Sequence, residues 1–378
     1  MQKHLDRRNK IRRAIAKQKL DAMLVTNSFN VRYLTNFTGG AAYLLIRPEG
    51  DTIVSDPRFT IQIEEECPGL DVVIRPRSES TSQTLTKLLG KTTTGKLAFE
   101  AETMTIAQHE RLQELSHWQL VPTQGIVEEF RQIKDKDEIF LIREAVSIAG
   151  EAFGYTRRKM GIDYSEVYLC NWLDHHMREM CAEDRSFPTV VGAGARAALP
   201  HATPGERIIK GQSHVLFDWG CVVGGYVSDL TRVLILDPNN KKLRTIYETV
   251  LKAQEAAIAA IKPGKTCNEI DAIARDIIKD AGYGKHFDHG LGHSIGLQIH
   301  ENPRFRDDDK TVLKAGMVLT VEPGIYLKGW GGVRIEDDIL VTKSGCEVLS
   351  KDVPKSFEEM VEADCFRQTT ETRCGRGG

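Results

Sequence analysis

The sequence predicts an α/β N-terminal domain followed by a larger α+β domain, and three observations support this fold class. Helical and strand-like segments alternate over residues 1–125. A charged segment over 132–138 then precedes a long helical pattern. Beyond it, a pair of helices followed by a pair of apolar strands occurs twice, which indicates an internally duplicated domain. We therefore expect domains at 1–130 and 131–355, and a polar C-terminal tail over 356–378.

The composition is that of an ordinary globular protein without an excess of either charge. The 378 residues include 51 Lys and Arg and 53 Asp and Glu, so the formal net charge is −2. This balance argues against a dedicated nucleic-acid-binding protein. No stretch of 18 apolar residues occurs, so we expect no transmembrane helix and no membrane partner. The eight cysteines include no Cys-x-x-Cys pair and are expected to be reduced, as in a cytoplasmic protein.

The N-terminal region alternates between helices and strands. Helical patterns occupy 7–20, 58–66, 82–89 and 105–115. Strand-like runs occupy 21–26, 41–47, 52–55, 71–75, 96–100 and 118–122. Pro48-Glu49-Gly50 is a turn signal between two of these runs. This alternation is typical of an α/β domain.

The second region has longer helices and paired strands. Helical patterns occupy 137–182 and 240–281, and the apolar hairpins lie at 214–236 and 317–342. Thr266 and Glu269 have the spacing of a capping box at the start of a helix. We therefore expect the order of helix pair and hairpin to be repeated.

The first hairpin contains two carboxylates in apolar surroundings. Asp218 and Asp229 lie in strands that are joined by Val222-Val223-Gly224-Gly225. A turn centred between Val223 and Gly224 would place the two carboxylates directly opposite each other on one face. Like charges in opposed positions destabilise a hairpin, so this pairing requires a compensating charge.

The second hairpin repeats this arrangement. The strands at 317–326 and 332–342 flank a loop centred on Gly329, and this register makes Glu322 and Glu336 neighbours. Both glutamates stand in apolar strands. Buried carboxylates without compensation are destabilising or take up a proton, so this second pair also requires a compensating charge.

Two divalent cations would compensate the four carboxylates, with a histidine as the nitrogen ligand. Such a donor set is rich in oxygen and favours Mn²⁺, Co²⁺, Fe²⁺ or Zn²⁺ over a thiolate-bound metal, and of these we favour Mn²⁺. Two metal ions can hold a nucleophilic water and polarise a carbonyl group. The predicted ligands are Asp218, Asp229, His293, Glu322 and Glu336.

A simpler alternative is that the acids form surface ion pairs. Asp229 could pair with Arg232, and Glu336 could pair with Arg334. This alternative accounts for either acid alone. Two acid pairs with matching hairpin registers, in apolar strands and in a chain with a histidine-rich loop, favour the metal site instead.

The histidine-rich loop extends over 289–301 and contains glycines at 290, 292 and 296. Glycines disfavour a helical His-x-x-x-His zinc site and indicate backbone packed closely beside a site. For His289 and His300 taken singly, a structural role is the alternative to a functional one. The same two alternatives apply to His201, which lies in a loop before the first hairpin.

Taken together, these residues resemble the pita-bread metallopeptidase family, in particular its Xaa-Pro branch of prolidases and aminopeptidases P. The matching segments are Phe217-Asp218-Trp219-Gly220, Ser228-Asp229-Leu230-Thr231-Arg232, the 289–301 loop, Val321-Glu322-Pro323-Gly324-Ile325-Tyr326 and Gly332-Val333-Arg334-Ile335-Glu336-Asp337. Asn30-Val31-Arg32-Tyr33-Leu34-Thr35-Asn36-Phe37-Thr38-Gly39 resembles the creatinase-type N-terminal domain of the same branch. The resemblance covers nearly the whole chain and implies a pita-bread catalytic domain with two divalent metal ions.

The resemblance implies a role for each predicted ligand. Asp218 resembles the ligand that chelates one metal, whereas Asp229 and Glu336 resemble the two bridging ligands. His293 and Glu322 resemble the remaining ligands of the other metal. Glu322 also resembles the general base or proton shuttle of the family.

The resemblance extends to residues around the metals. The residues that resemble the family's substrate-positioning and intermediate-stabilising histidines are His201, His289 and His300. Arg334 resembles an arginine that forms hydrogen bonds within the site. This sequence has Leu291 where Thr or Ile is common and Ser294 where Gly is common, which affects pocket shape rather than metal binding.

The implied activity is hydrolysis of the peptide bond between an N-terminal residue and proline. The resemblance further implies a homodimer that acts on small peptides with proline at the second position. A methionine aminopeptidase is one alternative, although it usually lacks such an N-terminal domain and an arginine at position 334. A creatinase-like hydrolase and a non-catalytic binding module are others, although such relatives do not keep all the metal ligands. Both a dipeptidase and an aminopeptidase for longer peptides fit the sequence.

Overall fold

The computed structural model describes residues 2–90, 94–115 and 117–362. The chain forms two compact units, Met1–Arg131 and Gln132–Gly378. Among the described residues, no helix combines the length and the apolar character needed to cross a membrane.

The first unit alternates helices with strands. Its helices are α1 (Gln2–Lys17), α2 (Ser28–Thr35), α3 (Thr60–Glu66), α4 (Thr81–Leu89), α5 (Ile106–Leu112) and α6 (Glu128–Arg131). Its strands are β1 (Ala22–Val25), β2 (Ala42–Ile46), β3 (Asp51–Ser55), β4 (Asp71–Ile74), β5 (Gly95–Glu100) and β6 (Trp118–Thr123). The strands form a mixed sheet in the order β4-β3-β2-β1-β5-β6, in which β1, β5 and β6 are parallel. The predicted α/β class is confirmed.

Strand β1 shows why the sequence pattern of this region predicts an α/β domain. Every residue of β1 is buried, as expected for a central strand that is covered on both faces. Helix α2 is not evident from the sequence pattern because it has only eight residues and several of its buried residues are polar. It begins after Asn27, whose side chain accepts a hydrogen bond from the backbone N–H of Phe29.

The second unit contains long helices and short strands. Its helices are α7 (Lys136–Lys159), α8 (Glu166–Glu179), α9 (Lys241–Ala260) and α10 (Cys267–Asp280). Its first strands are β7 (Asp184–Arg185), β8 (Val190–Ala193), β9 (His214–Trp219), β10 (Cys221–Val223), β11 (Tyr226–Val227) and β12 (Leu230–Ile235). Its later strands are β13 (Gly292–Ser294), β14 (Glu301–Phe305), β15 (Val318–Val321), β16 (Gly324–Leu327), β17 (Gly331–Arg334), β18 (Asp337–Val341) and β19 (Cys346–Val348).

The order of helix pair and hairpin is repeated, as the sequence predicts. Helices α7 and α8 precede the β12-β9-β8 sheet, and helices α9 and α10 precede the β14-β13-β15-β18-β19 sheet. The capping box of Thr266 and Glu269 at the start of α10 is confirmed. An equivalent box of Asp135 and Glu138 begins α7. The predicted metal ligands lie in strands of these two sheets or directly beside them.

The C-terminal residues differ from the expected polar tail. Phe357 and Met360 are buried, and the backbone N–H of Ile235 donates to the carbonyl of Met360. The Phe357 ring also contacts the Tyr247 ring edge to face, with 5.4 Å between the ring centroids. The prediction of a tail from residue 356 is therefore wrong for 356–362, because two apolar side chains separated by polar ones suffice to anchor this short segment. The rest of the predicted tail lies outside the described residues.

Candidate metal centre and active site

The first hairpin has a register that differs by two residues from the predicted one. In the pairing of β9 with β12, Asp218 lies opposite Thr231 rather than Asp229. The reason is the turn, because Gly224 and Gly225 both have a positive φ, of 57° and 80°. These angles suit a two-residue turn centred between the glycines. A shift of two residues keeps side chains on the same face, so Asp229 still lies on the side of Asp218.

The second hairpin has the predicted register. Gly324 pairs with Arg334 in the β16–β17 ladder, and Val321 pairs with Asp337 in the β15–β18 ladder. Both pairs are centred on Gly329. Glu322 and Glu336 lie between the two ladders, at opposed positions on the two arms of the hairpin.

The two hairpins bring the carboxylates together. Carboxylate oxygens of Asp218, Asp229 and Glu336 all lie within 4.8 Å of one another, and the three residues are buried. His293 Nε2 lies 3.6 Å from Asp229 Oδ2 and 3.4 Å from Glu322 Oε1. All five predicted metal ligands therefore meet in one cluster.

Burial and mutual repulsion dominate the electrostatics of this cluster. Burial, followed by the charge of Glu336, raises the pKa of Asp229 well above its usual range. Burial and the charge of Glu322 do the same to the pKa of Glu336. Burial raises the pKa of Glu322 to about 7, against the lowering effect of Arg334. Without a cation, the cluster therefore retains protons near neutral pH.

His293 is neutral in this environment and held by the neighbouring strand. Burial lowers its pKa to about 3, so its imidazole is available as a nitrogen donor. Its backbone N–H donates to Thr320 Oγ1, and the same hydroxyl donates to Glu322 Oε1. Gly292 allows this close approach, because a Cβ there would lie 2.1 Å from the carbonyl oxygen of Thr320. The glycine beside His293 thus has the packing role expected from the sequence.

Arg334 is the central cation of the site. Its guanidinium donates to Asp218 Oδ2, to the hydroxyl of Tyr326 at 2.8 Å and to the hydroxyl of Thr231 at 3.0 Å. Burial raises the pKa of Tyr326 to about 12, so its phenol stays protonated. The contacts of Arg334 hold the two hairpins in a fixed relation.

The surface ion pairs considered as an alternative are absent from the described residues. Asp229 and Glu336 are buried, and the fully buried Arg232 pairs with Asp337 at 2.7 Å. Arg334 pairs with Asp218 rather than with Glu336. The acids therefore have a reason to be buried other than surface ion pairing.

The three predicted histidines surround a cavity of about 1020 Å³ that contains the cluster. His289 Nε2 lies 3.0 Å from the hydroxyl of Tyr326. The ring centroid of His300 lies 4.5 Å from that of His293. His201 lies on the cavity wall and is exposed. The structure thus places all three histidines on the wall of the cavity that contains the cluster.

Two residues of the site were not singled out from the sequence. Tyr326 lies diagonally across the hairpin from Arg334. Its ring packs over Gly332, where the Cβ of any other residue would lie 2.8 Å from the tyrosine ring. The second-hairpin register, once known, identifies this pair. Thr231 lies opposite Asp218, and only the corrected register of the first hairpin identifies that pair.

The residues present fit a divalent-metal site. Asp218 Oδ1 and Glu336 Oε1 are buried and have no hydrogen-bond partner within the described part of the chain. Buried polar atoms are nearly always paired, so these two oxygens indicate a missing partner. The surrounding donors are carboxylate oxygens and one neutral imidazole, which suits a divalent cation.

Comparison with known proteins agrees with this geometry. The model of metallopeptidase family M24 matches residues 141–343, and that of the Creatinase/Prolidase N-terminal domain matches residues 7–133. The chain belongs to metallopeptidase family M24. It is therefore a metal-dependent peptidase with a creatinase-type N-terminal domain and a pita-bread catalytic domain, as the resemblance implied.

Relatives of this M24 peptidase cover it almost from end to end. An uncharacterized peptidase, YqhT of Bacillus subtilis, is 36% identical over 342 residues, which are 90% of this chain and 96% of that protein. The structure of an Xaa-Pro dipeptidase from Bacillus anthracis has 38% identity and a TM-score of 0.89, covering 93% of this chain and 99% of that one. The prolidase from Pyrococcus horikoshii has 34% identity and a TM-score of 0.84, covering 92% and 98%.

The buried acids predict an unusual pH dependence for the metal-free M24 peptidase. The raised pKa values of Asp229 and Glu336 mean that these groups bind more protons in the folded than in the unfolded state. The free energy of unfolding of the metal-free protein should therefore fall as the pH rises from about 7 to about 8. Mn²⁺ binds the deprotonated carboxylates, so its stabilising effect should grow over the same range.

Thermal unfolding in EDTA and in Mn²⁺ at both pH values checks this prediction. The double variant Asp229→Asn with Glu336→Gln is the control, because it removes these two titrating groups and should reduce the pH dependence, while Glu322 with its pKa of about 7 still titrates. A wild-type melting temperature in EDTA that rises from pH 7 to pH 8 would contradict the prediction.

Proposed function

We propose that this M24 peptidase hydrolyses the peptide bond between an N-terminal residue and proline, and that Asp218, Asp229, His293, Glu322 and Glu336 are its metal ligands. The observation that carries the proposal is the cluster of these five residues, four of them buried, which line one cavity together with three further histidines. The similarity to an Xaa-Pro dipeptidase and to a prolidase supports the choice of substrate.

The ligand set divides between two divalent cations. Asp218, Asp229 and Glu336 offer carboxylate oxygens within 4.8 Å of one another for one cation. His293 and Glu322 complete the second position beside Asp229. When bound, the metal ions supply Lewis-acid polarisation of the scissile carbonyl and activation of the attacking water.

Glu322 has the properties of a proton shuttle. Its carboxylate lines the cavity, and its Oε1 lies 3.4 Å from His293 Nε2 and accepts a hydrogen bond from the hydroxyl of Thr320, which places a proton acceptor beside the metal position. The bond before proline carries no N–H, and its nitrogen must be protonated to leave. Glu322 would take the proton from the attacking water and deliver it to that nitrogen.

The histidines and Arg334 hold the substrate and the ligands. His300 lies against His293 and faces the cavity, where it can donate to the carbonyl oxygen of the scissile bond. His201 and the apolar side chains of Phe187 and Ile299 line the same cavity and suit the proline ring. Arg334 keeps Asp218 and Tyr326 in place through its hydrogen bonds.

A substrate panel tests the proposal. Purified protein loaded with Mn²⁺ should cleave Ala-Pro, and should cleave Ala-Ala, Met-Ala-Ser and creatine at least about 100-fold more slowly. Faster cleavage of Met-Ala-Ser would favour a methionine aminopeptidase, and turnover of creatine would favour a creatinase-like hydrolase. Absence of metal and of any hydrolysis would favour a non-catalytic module.

Within this activity we propose a dipeptidase, and Arg304 is the reason. Its exposed side chain lines the cavity, and burial, followed by the charge of Arg304, lowers the pKa of His300. A dipeptide places its carboxylate one residue beyond the scissile bond, where a cation on the cavity wall can pair with it. A longer peptide has an amide at this point.

Replacing Arg304 by Met should raise KM for Ala-Pro about 10- to 100-fold, which corresponds to loss of about 1.5–3 kcal/mol from a charge-assisted hydrogen bond. Cleavage of Ala-Pro-amide, which has no carboxylate, should change little. The matched control is Arg306→Met, since Arg306 lines the same cavity but its guanidinium is already paired with Asp308. Equal kcat/KM for Ala-Pro and Ala-Pro-Ala in the wild type would contradict the dipeptidase assignment.

The proposal includes three further points. Mn²⁺ is the preferred metal, because four carboxylates and one imidazole form a hard, oxygen-rich donor set. The active form is a homodimer, as the family resemblance implies. The location is the cytoplasm, which agrees with free thiols at the described cysteines.

A further inference from the structure

We infer that Thr231 is a positioning residue whose hydroxyl orients Glu336 and thereby strengthens metal binding. This inference rests on the proposed metal site. Thr231 is fully buried at the point where the two hairpins meet. It lies opposite Asp218 in the β9–β12 ladder, and its carbonyl accepts the backbone N–H of Glu336 at 3.1 Å. Its backbone thus already fixes the position of Glu336 relative to the first hairpin.

The hydrogen bonds of the Thr231 side chain have a defined direction. Arg334 Nε can only donate, so Thr231 Oγ1 accepts its N–H at 3.0 Å. The hydroxyl proton of Thr231 is then directed to Glu336 Oε2, which lies 2.6 Å away. An ionised Glu336 therefore always receives a hydrogen bond from Thr231. The contacts run in series from Asp218 through Arg334 and Thr231 to Glu336.

This arrangement leaves the other oxygen of Glu336 for a metal ion. Oε1 is buried and has no hydrogen-bond partner among the described residues, while Glu336 contributes an oxygen to the cluster with Asp218 and Asp229. Fixing Oε2 restricts the rotation of the carboxylate before the metal arrives. Hydrogen bonds that orient a ligand in this way typically change metal affinity about 10- to 100-fold when they are removed.

Two pairs of variants test the role of the hydroxyl. Thr231→Val replaces the hydroxyl of the wild-type side chain by a methyl group and keeps the shape. In the second pair, Thr231→Ala lacks the hydroxyl that Thr231→Ser keeps. Mn²⁺ alone is titrated into the metal-free proteins by calorimetry, and thermal unfolding of each metal-free protein is recorded. We expect about 10- to 100-fold weaker Mn²⁺ binding in Thr231→Val than in wild type, and in Thr231→Ala than in Thr231→Ser.

A purely structural role would lower the melting temperature and leave the Mn²⁺ affinity of the folded protein unchanged. Equal Mn²⁺ affinity within either pair would therefore overturn the inference. If Thr231→Val does not fold, the Ser and Ala variants decide the question. A wild-type protein that binds no Mn²⁺ would instead overturn the proposed metal site, so the two failures are distinguishable.

Discussion

Replacing Asp229 by Asn should abolish both metal binding and hydrolysis of Ala-Pro, with a loss of activity of at least about 10³-fold. Asp229 belongs to both parts of the cluster, because a carboxylate oxygen of Asp229 lies within 4.8 Å of one of Asp218 and one of Glu336. Its Oδ2 also lies 3.6 Å from His293 Nε2. An amide at this position keeps the shape of the side chain but removes the charge that a shared cation requires.

The same substitution should not destabilise the metal-free protein. Burial among other acids favours the protonated form of Asp229 when no metal ion is bound, so a neutral amide resembles its state in the metal-free protein. We expect the melting temperature of Asp229→Asn in EDTA to equal or exceed that of wild type, and we expect Mn²⁺ to raise it no further. This separates a lost metal site from a lost fold.

Metal analysis, Ala-Pro hydrolysis and thermal unfolding check this prediction together. The control is Asp280→Asn, the same chemical change at an exposed position near the end of α10, which should leave all three measurements unchanged. Two bound metal ions per chain in Asp229→Asn, or activity within about tenfold of wild type, would contradict the proposed ligand set.

The period of a β-strand explains why the acid cluster could be predicted although one register was wrong. The predicted turn of the first hairpin is centred between Val223 and Gly224, whereas the positive φ of Gly224 and Gly225 places it between the two glycines. Since the error is two residues, Asp218 and Asp229 stay on one face. In the second hairpin, a loop symmetrical about Gly329 leaves less choice, and the predicted register is confirmed.

The contacts around the cluster could not be predicted in the same way. Arg334 lies two residues from Glu336 in sequence but pairs with Asp218, 116 residues away. Such pairs depend on how the two hairpins approach each other, which the alternation of apolar and polar residues within one strand does not specify. Short elements such as α2 and β13 are missed for a related reason, because they contain too few residues to show a period.

The contacts of Lys134 with Ser294 and Glu301 also join residues that are far apart in sequence, and they lead to a prediction about stability. Its side chain is 1% exposed, and its ammonium group lies 3.3 Å from Glu301 Oε2 and donates to Ser294 Oγ at 3.0 Å. Ser294 follows His293, and Glu301 follows His300. A lysine just before α7 thus holds the two ends of the segment that carries both histidines.

Replacing Lys134 by Met should lower the free energy of unfolding by about 3–5 kcal/mol, because it removes the buried ammonium group that lies 3.3 Å from the buried Glu301 carboxylate. Glu301→Gln should also be destabilising, since it leaves the buried Lys134 ammonium facing a neutral amide. The double variant removes both charges and should be more stable than the sum of the single effects implies. Urea unfolding of all three variants with Mn²⁺ present measures this coupling.

The same variants show whether the ion pair also positions the histidines. In the wild type, the backbone N–H of Gln298 donates to Glu301 Oε1. The neutral double variant still has a side-chain oxygen at position 301 that can accept this hydrogen bond. If the pair serves stability alone, the double variant should regain wild-type kcat with its stability. If the charges themselves hold His293 and His300 in place, kcat for Ala-Pro should stay reduced although stability recovers. We expect the second result, because Ser294 and Glu301 bind the same ammonium group from opposite ends of the histidine segment.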